Sequence, residues 1–294
     1  VILDDFSRGQ QIDFGVLEVG DICGQGVIDA VIEKHKPVAV IHFAGLAYVA
    51  ESFEQPARYW YNNVLGTITL LSAMYRKGVK KLVYSSSCST YKVPAGQYLV
   101  EEGFPQQPIS PYGRTKLAAE MAIQDFNGID SVILRYFNAA GADPEGELGE
   151  DHDPEPHIIP QALLAADTGG VATINGNDYP TRDGTCVRDY VHVTDLAEAH
   201  VKALAFLKYT EGSNAFNLGS GRGFSVLEIL SEIQRVTGKN VQYRFGPRRK
   251  GDAPELVASN AKAKSVLSWE PKHSDLETII RTAWDWYRKK GKHV

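Results

Sequence analysis

Short apolar runs alternate along this chain with longer stretches in which apolar side chains recur every three or four positions. Val1, Ile2 and Leu3 run into Asp4 and Asp5 and read as a buried parallel strand ending in acids. VAVIHFAG at 38–45, KKLVYSSSCSTY at 80–91 and SVILRYFNAAG at 131–141 are strands of the same kind, apolar in the body and small or polar at the tip. Between them the spacing predicts helices. One follows GDICGQG at 20–26 with Val27, Ala30, Val31 and His35, and a long one over 57–77 carries Tyr59, Val64, Ile68, Leu71 and Met74. A third opens at SPYGRTK, 110–116, after a crossing marked by Pro94, Pro105 and Pro108; Ser110 suits its N-cap, Pro111 its first position, and Leu117, Met121 and Phe126 its inner face. Strands alternating with helices in this way predict an α/β fold built on a doubly wound parallel, Rossmann-type sheet, with its site along the strand ends.

From Asp143 to His157 the composition shifts to Pro, Gly, Asp and Glu, which reads as the passage into a smaller α/β lobe. Helices are predicted near 158–167, through Ala199, Leu204 and Leu207, over 225–237 and over 275–289. AFNLGSG at 215–221 is a strand and turn whose glycines are only superficially a phosphate loop. We therefore expect a dinucleotide-binding domain over 1–142 and a substrate lobe over 143–294, some segments of which return to the sheet. EDHDPEPH at 150–157 mixes acids and histidines, so a metal site is conceivable there, but the spacing matches no metal-ligand pattern and a solvated loop is the preferred reading, with no metal expected.

The 43% of hydrophobic and 23% of charged residues among 294 are those of an ordinary globular protein. A net charge of −5 with a pI near 5.9 gives no basic field for a nucleic acid or an anionic membrane, so a small-molecule substrate is expected. Cys23, Cys88 and Cys186 are odd in number, far apart and without a CxxC, which fits a reducing cytoplasm rather than a disulfide framework or a zinc knuckle. No run reaches transmembrane length and no signal-peptide pattern opens the chain.

The chemistry gathers at the third helix, where Tyr112 and Lys116 stand four apart and share a face. A phenol with a pKa of about 10 is a poor base at neutral pH. Lowering it by roughly 3 units requires about 4 kcal/mol of preference for the phenolate, within reach of a close ammonium plus a cationic cofactor ring. Such a tyrosinate takes the proton of an alcohol while a hydride leaves the carbon. The pair is expected at the exposed mouth of its helix. A lone YxxxK is most often a surface tyrosine beside a solvated lysine, so its neighbours decide. Asp4, at the tip of a dinucleotide fold's second strand, would hold the adenosine ribose and favour NAD over NADP, with Arg8 blurring that preference. Gly45 would let a cofactor backbone approach, or is a simple turn. Asn62 and Asn63 are poor helix formers among apolar neighbours, so one of them needs a polar partner. Ser85, Ser86 and Ser87 are too polar for a buried strand unless its tip opens onto a site. Arg248, Arg249 and Lys250 form a basic cluster able to hold a diphosphate, though a solvated turn is the default.

Together with LDDFSRG at 3–9, HFAGLAYVAES at 42–52, YNNVLGT at 61–67, RYFNAAG at 135–141, GNDYPTRDGTCVRDYVHV at 176–193 and APELVA at 253–258, these stretches carry a resemblance that runs nearly end to end. The chain resembles the nucleotide-sugar epimerases of the extended short-chain dehydrogenase/reductase family. The resemblance implies NAD-dependent interconversion of UDP-glucose and UDP-galactose through a 4-keto sugar, in a homodimer. It implies Tyr112 as the base, Lys116 as its pKa-lowering partner and a ligand of the nicotinamide ribose, and Ser87 as the hydroxyl that orients the sugar oxygen. It assigns Asp4, Asp5, Asp21, Ile22, Phe43, Ala44, Gly45, Asn62, Ser85 and Tyr136, besides Tyr112 and Lys116, to NAD. Asn138, His157, Ile158, Arg188, Tyr190, Arg249, Asp252 and Leu256, besides Ser87, fall to the UDP-sugar, with the arginines on the diphosphate. His157 stands where an asparagine is common, Leu256 where side-chain size limits the sugar pocket, and Ala47 where a lysine is often seen. The fold's first strand and glycine-rich turn do not precede Val1, and we expect roughly 25 to 30 residues before it in the natural protein, the length of a strand, turn and helix. A UDP-pentose 4-epimerase or another nucleotide-sugar enzyme is the alternative; a 4,6-dehydratase would carry an acid pair where Cys88, Ser89 and Thr90 stand. A non-catalytic dinucleotide sensor would have lost the tyrosine or the lysine.

Overall fold

The strand Lys81–Ser87 carries the first of two compact units. The structure, a computed structural model, describes all residues but 10, 12–13, 94–97, 250–251 and 291–294, so the expectations on Pro94 and Lys250 lie outside the described residues. The first unit comprises 1–92, 103–135 and 200–216. Its four-stranded sheet runs in the order Ser213–Leu218, Asp130–Tyr136, Lys81–Ser87, Val40–His42, with Val40 opposite Leu82 in parallel register. The helices Gln25–His35, Gly66–Lys77 and Pro111–Asp125 bury Ile28, Ile32, Leu70, Leu71, Met74, Ala119 and Ile123 against Leu82, Tyr84 and Ile133. Each fully buried aliphatic side chain contributes about 1.5–3 kcal/mol, and this layer holds the strand tips in place.

Two strands are less buried than their apolar runs predict. Ile2–Asp4 pairs with Leu17–Val19 in a separate two-stranded parallel sheet, and Val1 is 64% exposed. Val40–His42 is the edge of its sheet, where His42 is buried but Ile41 is not. Among the described residues each hydrogen-bonds along one flank only, so the expected single sheet is divided. The predicted helix over 57–77 is interrupted as well. A short helix Pro56–Tyr59 passes through a π-helical turn, Trp60–Leu65, into Gly66–Lys77, which Gly78 ends at φ 73°.

At the third helix the Ser110 hydroxyl accepts from the Gly113 amide at 3.0 Å, the predicted cap. Its inner face is Tyr112, Thr115, Lys116, Ala119 and Ile123, whereas Met121 is exposed. Counting 3.6 residues per turn from Tyr112 leaves Leu117 about 140° and Met121 about 180° from it, and the polar pair takes the place the leucine and methionine were expected to fill. A methyl on Gly113 would stand 2.2 Å from the Ser89 carbonyl oxygen, so glycine sets how closely helix and strand end approach. Beneath the helix Arg135 grips Glu120 with two hydrogen bonds of 3.0 and 2.7 Å and donates a third to the Tyr91 hydroxyl at 2.7 Å. Glu120 is 1% exposed and also receives the Ser86 hydroxyl.

The second unit comprises 93–102, 136–199 and 217–294. Here Gly223–Ser225, Val187–His192, Glu255–Ala258 and Leu99–Val100 lie side by side, and Asn138–Ala140 adds to Val187–His192 in parallel. The run expected as one strand over 131–141 is therefore two, breaking at Phe137, whose amide donates to the Leu218 carbonyl at 3.0 Å. The helices Ile158–Thr168, Val226–Thr237 and Leu276–Lys290 bury Ile159, Leu163, Ile229, Ile233, Ile279 and Ile280. Ser225 and Glu228 cap the second of these reciprocally. The AFNLGSG turn has an internal use: buried Asp189 accepts from the Ser220 and Gly221 amides at 2.7 and 3.0 Å. Among the described residues no helix is long and apolar enough to cross a membrane.

Replacing Arg135 by methionine would strand the Glu120 carboxylate without its cation. We expect Arg135→Met to lose about 3–5 kcal/mol of unfolding free energy in urea, and the double variant Arg135→Met/Glu120→Leu to regain most of it.

Candidate active site

Three serines at the end of Lys81–Ser87 are buried because each has a partner. Ser86 donates to Glu120. Ser87 accepts from the Ser89 amide at 3.1 Å and caps the 3₁₀ turn Cys88–Thr90. The Ser85 carbonyl accepts from Lys116 Nζ at 2.7 Å. The polar strand tip thus opens onto the two side chains that chemistry singles out, and Ser87 also hydrogen-bonds Tyr112.

Tyr112 and Lys116 are 8% and 4% exposed, so they are not at an exposed mouth; the core cluster of Leu46 and Tyr59 closes over the phenol. Burial decides their proton affinities. It pushes Tyr112 up to about 12, with the Ser87 hydrogen bond opposing and Cys88 adding to the rise. It pulls Lys116 down to about 8, with Glu120 opposing. The expected lowering of the phenol by its lysine is therefore not supplied by the protein alone: the Nζ is spent on the Ser85 carbonyl and the face of Tyr84, 5.0 Å away. Positive charge brought by a ligand has first to cancel the rise at Tyr112 and then to lower the phenol further, about 7 kcal/mol in all, before the base form is populated at neutral pH.

One wall beside Lys116 is made of small and amide groups. A Cβ on Gly45 would come within 3.5 Å of Lys116 Nζ and 3.3 Å of Asn63 Oδ1. Asn63 is the asparagine with the partners: it accepts from the Leu46 amide at 2.8 Å and donates to the Leu46 carbonyl and to Thr115 at 3.0 and 3.1 Å. Asn62 Oδ1 is buried with no hydrogen-bond partner among the described residues. Both come from the π-helical turn, the type of backbone irregularity that recurs at functional sites. An orphaned buried acceptor and a glycine-walled approach next to an ammonium fit a polar dinucleotide. His42 completes the wall, its ring nitrogen on the Thr67 hydroxyl at 2.9 Å; burial, helped by the charge of Lys116, pulls it down to about 3, so it is neutral.

The remaining cofactor candidates are more dispersed. Asp4, Asp5 and Asp21 each accept from the amide two residues on, at 2.8, 2.9 and 2.8 Å, which shapes the turns after the first two strands. Arg8 pairs with Glu51, an engagement the sequence did not signal. Ile22 packs toward Gly66, where an added Cβ would meet its methyl at 2.7 Å. Phe43 and Ala44 are exposed, the Phe43 ring lying 4.6 Å from that of His200, and Tyr136 is half-buried.

In the second unit the strand register pairs four of the substrate candidates. Asn138 lies opposite Tyr190, and Leu256 opposite Arg188. Arg188 Nη2 stands 3.6 Å from Asp252 and its Nη1 donates to the Val187 carbonyl at 2.8 Å. Arg249 donates to the Pro156 carbonyl at 3.4 Å and, with the Asn175 amide oxygen turned to it, to Asn175 at 2.9 and 3.2 Å. Arg248 is held by Asp178 and covers the Tyr179 ring at 4.3 Å, so it serves packing rather than a diphosphate. His157 is the N-cap residue of the helix that Ile158 opens. The loop before it is not simply solvated: Glu150, His152, Glu155 and His157 bring one ligand atom each to within 4.8 Å of one another.

The sequence profile of the NAD dependent epimerase/dehydratase family matches residues 4–219. The chain is 48% identical to the UDP-glucose 4-epimerase of Rhizobium leguminosarum bv. trifolii, over 100% of this chain and 91% of that protein. Its fold superposes on the UDP-glucose 4-epimerase of Brucella ovis in complex with NAD at a TM-score of 0.92 and 50% identity, over 96% of this chain and 89% of that one. The Bifidobacterium longum enzyme in complex with NAD+ and UDP gives a TM-score of 0.94 at 32% identity, over 99% and 91%.

Lys116 offers a pH test of this geometry. Its folded pKa of about 8 lies below the ordinary 10.5 of the unfolded chain, so between those values the unfolded state binds more protons and stability rises with pH. In urea titrations of NAD-stripped protein we expect wild type to gain about 2 kcal/mol on Lys116→Met between pH 7.5 and 9.5. A difference that stays constant across that window would mean that the ammonium is not desolvated.

Proposed function

The chain belongs to the NAD dependent epimerase/dehydratase family, and from that premise we infer the reaction and the part each residue plays in it. The protein is an NAD-dependent UDP-glucose 4-epimerase, which interconverts UDP-glucose and UDP-galactose. The observation that carries the residue roles is the buried group of Tyr112, Ser87 and Lys116 at one strand end, walled by Gly45 and Asn63.

Tyr112 takes the proton of the sugar's C4 hydroxyl and later returns one to the C4 oxygen. Ser87 holds both the phenol and the sugar oxygen, fixing the line along which that proton moves. Lys116, one turn along the same face, supplies the positive charge that favours the phenolate and reaches the nicotinamide ribose. Asn62, Gly45, Phe43, Ala44, Ser85 and Tyr136 line the cofactor, with Asp21, Ile22 and the acids Asp4 and Asp5 toward its adenosine end. NAD held by these residues would supply a reversible hydride acceptor for C4, regenerated in each cycle. Arg188 and Arg249 hold the diphosphate, and Asn138, His157, Ile158, Tyr190, Asp252 and Leu256 surround the rest of the UDP-sugar. While UDP stays anchored there, the 4-keto sugar turns over and receives hydrogen on its other face.

A pentose reading has one observation behind it: the Stenotrophomonas maltophila relative, 38% identical, is described with bound NAD and formylated UDP-arabinopyranose. Leu256 and His157 are the residues through which such a preference would act. The three cysteines are free, and we assign the protein to the reducing cytoplasm, as a homodimer.

Protein purified with its NAD should convert UDP-galactose to UDP-glucose with no NAD added. Tyr112→Phe should lower turnover by about 10²–10⁴-fold while UDP affinity, measured calorimetrically, stays within a few-fold of wild type. Near-normal turnover in that variant would remove Tyr112 from the mechanism, and faster turnover of UDP-arabinose or UDP-xylose than of UDP-galactose would favour the pentose reading.

A further inference from the structure

The loop that carries Glu150, His152, Glu155 and His157 is held from several sides. Trp286 donates its indole N–H to the Glu150 carbonyl at 2.9 Å, and a Cβ on Gly149 would meet that ring at 2.3 Å. Gln161 donates to the Glu155 carbonyl at 2.6 Å, Arg249 to that of Pro156 at 3.4 Å, and Lys290 pairs with Asp151. A segment fixed in this way spends little entropy on presenting side chains in one arrangement.

The four side chains alternate around a ring. His157 Nδ1 faces Glu150 Oε1 at 2.5 Å and Glu155 Oε1 at 3.1 Å. His152 Nδ1 faces Glu150 Oε1 at 3.1 Å and Glu155 Oε2 at 3.6 Å. Each histidine thus turns the same nitrogen toward both carboxylates, and the rings stand 5.2 Å apart at 51°. Ligand atoms at about 2.0–2.2 Å from a tetrahedral Zn²⁺ lie about 3.3–3.6 Å from one another, a separation inside the span of these groups, whose facing atoms stand 2.5 to 3.6 Å apart and all lie within 4.8 Å. Glu150, His152 and Glu155 are half-buried and His157 is exposed, so an ion could enter from solvent.

We propose that Glu150, His152, Glu155 and His157 form a binding site for a divalent transition-metal ion of the Zn²⁺ class. Two neutral imidazoles and two carboxylates form an N₂O₂ set of borderline hardness, and the two negative charges balance the ion. Binding releases whatever protons the histidines hold, so the site competes with hydrogen ions and weakens as pH falls. Its place at the start of Ile158–Thr168 would make the ion a clamp on the passage into that helix. The proposal does not depend on the roles given to Tyr112 and Lys116, and it shares only His157 with the UDP-sugar lining inferred above.

The test uses the NAD-loaded full chain, dialysed against chelator and then titrated with ZnCl₂ in a calorimeter at pH 7.5, with CoCl₂ as an optical probe. We expect one Zn²⁺ per chain, the strong visible absorption of four-coordinate Co²⁺, and a loss of roughly tenfold or more in affinity in both His152→Ala and Glu155→Gln. Circular dichroism of the variants establishes that they are folded. No stoichiometric heat with the wild type, an octahedral cobalt spectrum, or equal zinc uptake by wild type and both variants would overturn the site and leave the cluster as two imidazolium–carboxylate pairs.

Discussion

Everything at the end of the Lys81–Ser87 strand follows from one hydrogen bond, that of Lys116 Nζ to the Ser85 carbonyl. It holds an ammonium in a space where Tyr84, Gly45 and Asn63 are its neighbours and the residue is almost wholly buried. Desolvation weakens the lysine's hold on its proton and strengthens the tyrosine's. In the resting protein the phenol therefore keeps its proton, and a ligand that brings positive charge would favour the phenolate. Chemistry is tied to binding in this arrangement: without the dinucleotide, the phenol is a poor base.

Around that contact the polar interior is satisfied by long-range partners. Glu120 gathers Arg135, Ser86 and Gln106, so the helix bearing Tyr112 is keyed to two strands by charge as well as by packing. In the second unit Asp189 ties the turn after Ser213–Leu218 to Ala258, and Asp195 receives the Lys272 and His273 amides and the Ser274 hydroxyl. Such buried carboxylates hold loops in a single arrangement, which a site of fixed geometry requires.

Much of this was legible in the sequence. The alternation of strands and helices, the cap at Ser110, the polar tip of the serine strand and the YxxxK spacing are all local signals, and the serine strand and the helix of Tyr112 formed where they pointed, while the helix over 57–77 and the strand over 131–141 are each broken. What stayed hidden is non-local. Nothing near Glu120 announces Arg135, and the burial of Lys116 overturned the expectation of an exposed pair, because a four-residue spacing gives the face of a helix but not what covers it. Asn62 and Asn63 signalled a polar need between them; only the three-dimensional arrangement shows that Asn63 is satisfied and that Asn62 Oδ1 is not, among the described residues. Leu117 and Met121 misled because hydrophobicity outranked the polar pair in assigning the inner face. EDHDPEPH has no sequence spacing that signals a cluster, since its four groups meet through the path of a loop.

The π-helical turn at Trp60–Leu65 has an evolutionary corollary. It holds a surplus residue, and deleting any one position there would restore regular winding and swing the upstream turn by about 100°. Asn63 would lose Leu46, and Asn62 would aim elsewhere. Drift in chain length, which surface loops absorb freely, is closed to this segment, so relatives should differ in its side chains long before they differ in its residue count.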